Sequence, residues 1–340
     1  MRDQMTPVFD LHSDIPTDIA RRRAQGEHNV FRTHHYPRLR ASGVKAVVFV
    51  LWVEPEHRQR SAHRLIELLG ALLADFHECC DCVELVKDQK SLQNVVAAGK
   101  VAVVLGVEGM TFVEQWWLQG TQYRDEEEAL KEQFALSMGI LRQVGLRHAI
   151  LVWGEQNAIA SGPGTFFDPA GCMGLTTFGR KVVERLAESK ILIDVSHLDE
   201  LSTEEVLDAA PGIVIASHSN ARALCDHPRN LSDCHLREIG RRHGIVGLNS
   251  YAKFIDEDKA DMDRFIDHLV YIANLIGIEH VAFGFDFMDY LPNIYGFPER
   301  TEGLWRVEDV PGLLNRLIVR GFSEQEITQV AYYNALRILG

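Results

Sequence analysis

Residue types that bind metals recur in this chain at the ends of short apolar runs. One run closes on Asp10-Leu11-His12-Ser13-Asp14, and others on Gly106-Val107-Glu108-Gly109, Asp194-Val195-Ser196-His197, Ser217-His218-Ser219 and Gly284-Phe285-Asp286. His12 and Asp14 are two apart, so on a strand they share a face, and an imidazole beside a carboxylate can hold a divalent ion. Glu108 ends an otherwise apolar run, where a carboxylate is costly unless it is paired or ligates a cation; its two oxygens can bridge two ions. His197 and His218 add imidazoles. Taken singly each has a bland reading, a surface turn for His12 and Asp14 and a hydrogen-bonded core histidine for the other two. Their common place at the ends of runs favours ligation. The five residues supply enough donors for two ions; zinc suits the mixture of nitrogen and oxygen best, with manganese, cobalt or iron also able to serve. Water held between two such ions ionises near neutral pH and becomes a nucleophile.

A proton carrier must accompany that nucleophile, and Asp286 after the last run is the candidate; its bland alternative is to orient a ligand histidine. Asp10 and Asp194 sit two and three positions ahead of a ligand and read as support. Asp289 reads as a solvent or loop residue. Arg229, in the stretch His218 to Asn230, could grip a substrate carboxylate with two prongs or merely tie its loop to backbone carbonyls. Trp153 and Tyr251, each at the end of a run, are further substrate contacts. His28, His34, His35, His57, His63, His77 and His148 lack a comparable setting and read as surface or packing residues.

The runs that must position these groups are Val8–His12, Val44–Trp52, Val101–Val107, His148–Trp153, Ile191–Ser196, Ile213–Ser217, Ile245–Ser250 and Val281–Phe287. Most are nearly continuous Val, Ile, Leu and Ala, the mark of strands buried on both faces of a parallel sheet. Helical periods lie between them at Ala62–Phe76, Asp125–Val144, Thr176–Ser189 (capped by Thr176 or Thr177), Asp261–Ile276 and Ser323–Leu339, the last opening with the capping-box pattern Ser323-Glu324-Gln325-Glu326. The alternation predicts one (β/α)8 TIM barrel of the metallo-dependent hydrolase type over residues 1–340, whose strand ends converge on one mouth. A doubly wound open sheet would spread the same residues along an edge. Longer interruptions around 16–37 and 154–172 are expected to be mouth loops.

Composition sets bounds. With 46% hydrophobic and 24% charged residues the chain is globular, and a net charge of −13 argues against nucleic-acid binding. No apolar run reaches the ~20 residues a bilayer demands, and neither a secretion signal nor a hydrophobic tail is visible, so a cytoplasmic protein off the membrane is expected. The six cysteines show no disulfide framework; Cys79 and Cys82 form a C-x-x-C without the second pair a zinc site would need. A homo-oligomer stays open.

At this point the chain resembles the renal (membrane) dipeptidase family, peptidase family M19, of the amidohydrolase superfamily. DLHSDIP is similar to its D-x-H-x-D-(L/I)-P, GVEG to its bridging-glutamate strand, GLTTFGRKVVERL with DVSHL to its fifth unit, SHSNARALCDHPRNLSD to its sixth and GFDF to its eighth. The resemblance implies His12 and Asp14 on one zinc ion, Glu108 bridging, His197 and His218 on the second, Asp286 in proton transfer and Arg229 on the substrate carboxylate. It implies hydrolysis of small dipeptides, some with a D-residue at the C-terminal position. Two departures stand out: Leu151-Val152-Trp153 replaces the mammalian L-T-H, removing a histidine expected to polarise the scissile carbonyl, and GFDFMDY replaces G-G-D-F-D-G. The competing functions are a related amidohydrolase acting on N-acyl amino acids, lactams or other small amides, and a catalytically silent metal-binding barrel.

Overall fold

The computed structural model describes residues 5–115, 125–164, 171, 173–292 and 299–339. Its strands are β1 (Val8–Ser13), β2 (Val44–Trp52), β3 (Val83–Val86), β4 (Val101–Glu108), β5 (Leu146–Ile150), β6 (Leu192–Asp194), β7 (Val214–Ile215), β8 (Val246–Leu248) and β9 (Val281–Phe283). Every ladder is parallel, in the order β7-β6-β5-β4-β2-β1-β9-β8. A parallel bridge between Ala216 and Val246 brings the two ends of that order together, and the eight strands form a barrel with helices outside, as expected.

β3 is the strand that the sequence pattern did not disclose. β2 occupies one edge of β4, so β3 and β5 divide the other, β3 pairing with Val101–Val104 and β5 with Leu105–Glu108. Only four residues long, with Glu84 facing solvent, it carries too little apolar pattern to be recognised.

Inside the barrel, Phe9, Leu11, Ala46, Val48, Val50, Ala102, Val104, Ile215 and Ala282 form one buried cluster, closed by Tyr332, Leu336 and Leu339 from the C-terminal segment. A larger cluster lies between strands and helices and includes Val47, Phe49, Leu65, Leu72, Val103 and Leu105. Alternation along β2 and β4 thus sends one set of side chains inward and the next outward, which puts Glu108 on the same inward row as Ala102 and Val104.

Helices form at Ser61–Glu78, Glu126–Val144, Thr177–Glu188 and Met262–Ile276, the last three capped by Asp125, Thr176 and Asp261. Two segments differ from expectation. Residues 16–37, expected as a mouth loop, are largely helical: Ile15–Ala24, a π-turn at Phe31–His35 and a helix beginning at Tyr36. Pro16 opens the first of these, and Asp18, fully buried, takes hydrogen bonds from Arg21 and Arg22 on the following turn, so its polar residues are satisfied locally instead of marking a loop. The C-terminal helix starts with the Ser323–Glu326 capping box but is broken by a π-turn at Gln329–Tyr333. Of the other expected mouth loop, residues 165–170 and 172 lie outside the described residues.

Candidate metal centre

Several strands stop short of the apolar runs that contain them, and two buried carboxylates account for it. Asp194 Oδ1 accepts the backbone N–H groups of Ser196 (2.8 Å) and Ser217 (3.0 Å), while Asp10 Oδ1 accepts those of Phe285 (2.9 Å) and His12 (3.3 Å). Each carboxylate takes over the ladder where two neighbouring segments leave it, satisfying amides that would otherwise be buried without partners. Each also stands next to the ligands those segments carry: His197 and His218 for Asp194, His12 and Asp286 for Asp10. Both act as the support the sequence suggested. His197 and Asp286 adopt left-handed backbone, with φ of 69° and 58°, a strained conformation for such residues that turns their side chains into the mouth.

β1 reaches the same point by a bulge. Asp10 pairs with Val47 but Ser13 with Phe49, so three residues of β1 oppose two of β2. Asp14 already lies at the head of the helix Ile15–Ala24. The expectation that His12 and Asp14 share a face is met by this irregular geometry, with His12 Nε2 3.6 Å from Asp14 Oδ2.

All five expected ligands come together and are buried. Glu108 divides the cluster: its Oε2 lies 3.5 Å from His12 Nε2, and its Oε1 lies 3.0 Å from His197 Nε2 and 3.6 Å from His218 Nε2. His12, Glu108 and His218 offer one convergent set of donors, and His12, Asp14 and Asp286 another. Separations near 3–3.6 Å are close to those between neighbouring ligands at ~2.0–2.2 Å from a common ion, which span roughly 3.3–3.6 Å in a tetrahedron. Asp14 Oδ1 and Glu108 Oε1 are buried without a hydrogen bond, as are Nδ1 of His12 and of His197. His218 Nδ1 is fixed by Ser217 Oγ at 2.7 Å. These donors fit divalent metal in type and converge closely enough to hold it.

The electrostatics agree. Burial pushes the Glu108 carboxyl up to about 8 and that of Asp286 up to about 6, and holds His197 and His218 well below the usual imidazole value. Burial also favours neutral His12, yet Glu108, Asp14 and Asp286 around it pull it well above that value. Carboxylates crowded in a dry pocket are unfavourable unless positive charge offsets them.

Asp286 Oδ1 lies 3.8 Å from His12 Nε2 and its Oδ2 accepts from Asn249 Nδ2 at 3.0 Å. Arg229 is 7% exposed. Its Nη2 reaches only the His218 carbonyl, at a long 3.5 Å, its guanidinium rests 5.3 Å from the Phe254 ring centre, and its Nε has no partner. Among the described residues no carboxylate oxygen lies within 4 Å of it. Trp153 packs with its ring centre 5.0 Å from that of Trp52 and 6.0 Å from that of His197, both pairs tilted, forming an apolar wall beside the candidate ligands. The Tyr251 hydroxyl donates to Glu299 Oε2 at 2.9 Å.

Other residues take places that sequence reasoning missed. His148 is fully buried, its Nε2 2.6 Å from Asp194 Oδ2. Gly106 makes room for it, since a Cβ there would meet His148 Nδ1 at 2.5 Å. His35 is buried against Asp18. Asp289, read as a solvent or loop residue, does lie in a turn, but it is mostly buried and paired with Arg38 at 2.6 Å. Asn249, one residue past β8, could have been found by the rule that found the ligands: a polar residue where an apolar run ends.

A parallel barrel thus gathers three imidazoles and three carboxylates at the carboxyl ends of its strands, the face on which barrels of this kind carry their sites. The sequence model of the membrane dipeptidase family (peptidase family M19) matches residues 3–120 and 128–340. The chain belongs to that family. Among curated relatives, a dipeptidase of Aspergillus oryzae, aclJ, is 29% identical over 248 residues, covering 71% of this chain and 52% of its own length. Dipeptidase tcpJ of Claviceps purpurea is 26% identical over 286 residues, covering 82% and 59%. The chain therefore spans just over half the length of these relatives. Among solved structures, a metallopeptidase from Rhodobacter sphaeroides, liganded with a phosphinate mimic of the dipeptide L-Ala-D-Ala, superposes with a TM-score of 0.82 at 23% identity, covering 98% of this chain and 99% of that one.

Proposed function

We propose that the protein is a dinuclear metal-dependent dipeptidase, with zinc the ion best suited to its donors. His12 and Asp14 would hold one ion, His197 and His218 the other, and Glu108 both. The observation that carries this reading is Glu108, whose two oxygens face different imidazoles with Asp286 and an uncompensated buried arginine close by. Two such ions, when bound, supply an activated water and a Lewis acid for the peptide carbonyl. Asp286, steadied by Asn249, would carry a proton to the leaving amine, and Arg229 would hold the substrate's C-terminal carboxylate in two-pronged fashion. Trp153 offers apolar surface where a histidine would otherwise face the substrate.

A D-residue at the C-terminal position belongs to the same proposal; its support is the ligand of the Rhodobacter relative. Among the described residues no helix is long and apolar enough to cross a membrane. Cys79, Cys80, Cys82, Cys225 and Cys234 are free thiols, which suits a reducing, cytoplasmic setting.

The test is a panel of dipeptides against N-acyl amino acids and lactams, with zinc supplied. Dipeptide hydrolysis should fall at least ~100-fold in Asp286→Ala while metal content is kept. Cleavage of N-acyl amino acids alone would favour the related amidohydrolase, and two bound ions without turnover of any amide would favour a silent barrel.

A further inference from the structure

Next to Asp286 lies a cavity of about 120 Å³ whose walls include Tyr251, Met288, Glu299, Arg300 and Trp305. At about 30 Å³ per water it holds roughly four waters' worth of space, enough for a short side chain. Charge pairing within it is uneven. Glu299 is neutralised by Lys253 Nζ at 2.8 Å and receives the Tyr251 hydroxyl. Asp289 is held by Arg38, and Asp286 is turned toward His12 and Asn249. Arg300 differs: its guanidinium sits 4.1 Å from the centre of the Trp305 ring, and among the described residues no carboxylate oxygen lies within 4 Å of it.

Stacking on an aromatic face fixes the plane of a guanidinium and leaves its N–H edges free, the geometry that receives a carboxylate with two hydrogen bonds. Arg300 is also anchored at its backbone, where it bridges to Tyr251. Tyr251 is tied in turn to Asn249, which holds Asp286. Asp286 itself lines the cavity together with Tyr251 and Arg300. In the proposed reaction Asp286 serves the departing nitrogen, which belongs to the substrate's C-terminal residue, so that residue's side chain is the part of a dipeptide that lies beside the cavity.

We propose that this cavity receives the side chain of the substrate's C-terminal residue and that Arg300, stacked on Trp305, selects an acidic one. The inference rests on the dipeptidase reading and names its substrate class: dipeptides ending in aspartate or glutamate.

The experiment compares kcat/KM of the zinc-loaded protein for Ala-Asp against Ala-Asn and Ala-Glu against Ala-Gln, with both stereoisomers at the C-terminal residue, at low and high salt. Each pair matches in size, so the ratio reads charge alone. The acidic member should lead by at least about tenfold, chiefly through KM. The lead should shrink with salt. In Arg300→Gln the ratio should fall to about one, and in Arg300→Glu, Ala-Lys should overtake Ala-Asp. Dipeptide hydrolysis with equal rates for Asp and Asn, or a preference that survives Arg300→Gln, overturns the subsite and leaves the dipeptidase reading intact. Failure to cut any dipeptide, Ala-Ala included, removes both.

Discussion

Replacing Arg229 by Met should make the protein more stable and a much poorer enzyme. The guanidinium is 7% exposed, bonded only at 3.5 Å to one carbonyl and resting on one ring. Burial brings its pKa from 12.5 down to about 10, which at 1.36 kcal/mol per tenfold is a cost of about 3 kcal/mol for keeping the charge in the folded protein. The folded-state value of this base lies below the unfolded one, so the cost is present in full below about pH 10 and is relieved only as pH rises beyond it. Met removes the charge with little change of volume; it also loses the weak carbonyl bond and the ring contact, worth roughly 1 kcal/mol together. A net gain of about 1–2 kcal/mol should appear in urea unfolding of the metal-loaded protein. In the dipeptidase assay two charge-assisted hydrogen bonds to the substrate carboxylate disappear, and kcat/KM should fall by at least ~100-fold, mainly through KM. A variant that is less stable by 1 kcal/mol or more with KM unchanged would show that Arg229 ties down its loop and does not hold substrate.

Asp194→Asn breaks the buried contact with His148 and weakens the clamp on the Ser196 and Ser217 amides. It should cost about 3 kcal/mol of stability and lower metal affinity by ~10–100-fold, measured by metal titration; unchanged affinity would refute the claim that this carboxylate aims His197 and His218. Asp18 governs part of the acid limb of stability. Burial alone would raise its carboxyl, but the hydrogen bond and charge of His35, with hydrogen bonds from Arg21 and Arg22, bring it from 3.8 to about 2. The resulting contribution, roughly 2 kcal/mol, is present above about pH 4 and lost as pH falls through about 2. Asp18→Asn should therefore be less stable at pH 6 and flatter in its stability between pH 4 and 2; parallel profiles for the two proteins would contradict this.

The candidate metal ligands were legible because a charge at the end of an apolar run is a local signal. Glu108 ends an eight-residue strand that is otherwise Val, Ala and Leu with one Gly, and few explanations besides ligation suit a carboxylate there. The barrel was legible for the related reason that its strands, buried on both faces, read as unbroken apolar runs. Contacts that depend on pairing across the barrel left no such trace. His148 and Asp194 are 46 positions apart, and nothing near His148 in sequence tells that it points at a carboxylate on the next strand. The helix Ile15–Ala24 was hidden because its inward face carries Asp18, whose partners lie on the same helix and at His35. β3 was hidden by its length. The backbone turns at His197 and Asp286 follow from where Asp194 and Asp10 end the ladders, which only the assembled barrel reveals.

The proposed metal pair is tested most directly by anomalous diffraction from zinc-loaded crystals, recorded on either side of the absorption edge. Two peaks are expected at the mouth of the barrel, both within bonding distance of Glu108, one also touching His12 and Asp14 and the other His197 and His218. No peak there, or a single ion that Glu108 does not touch, would contradict it.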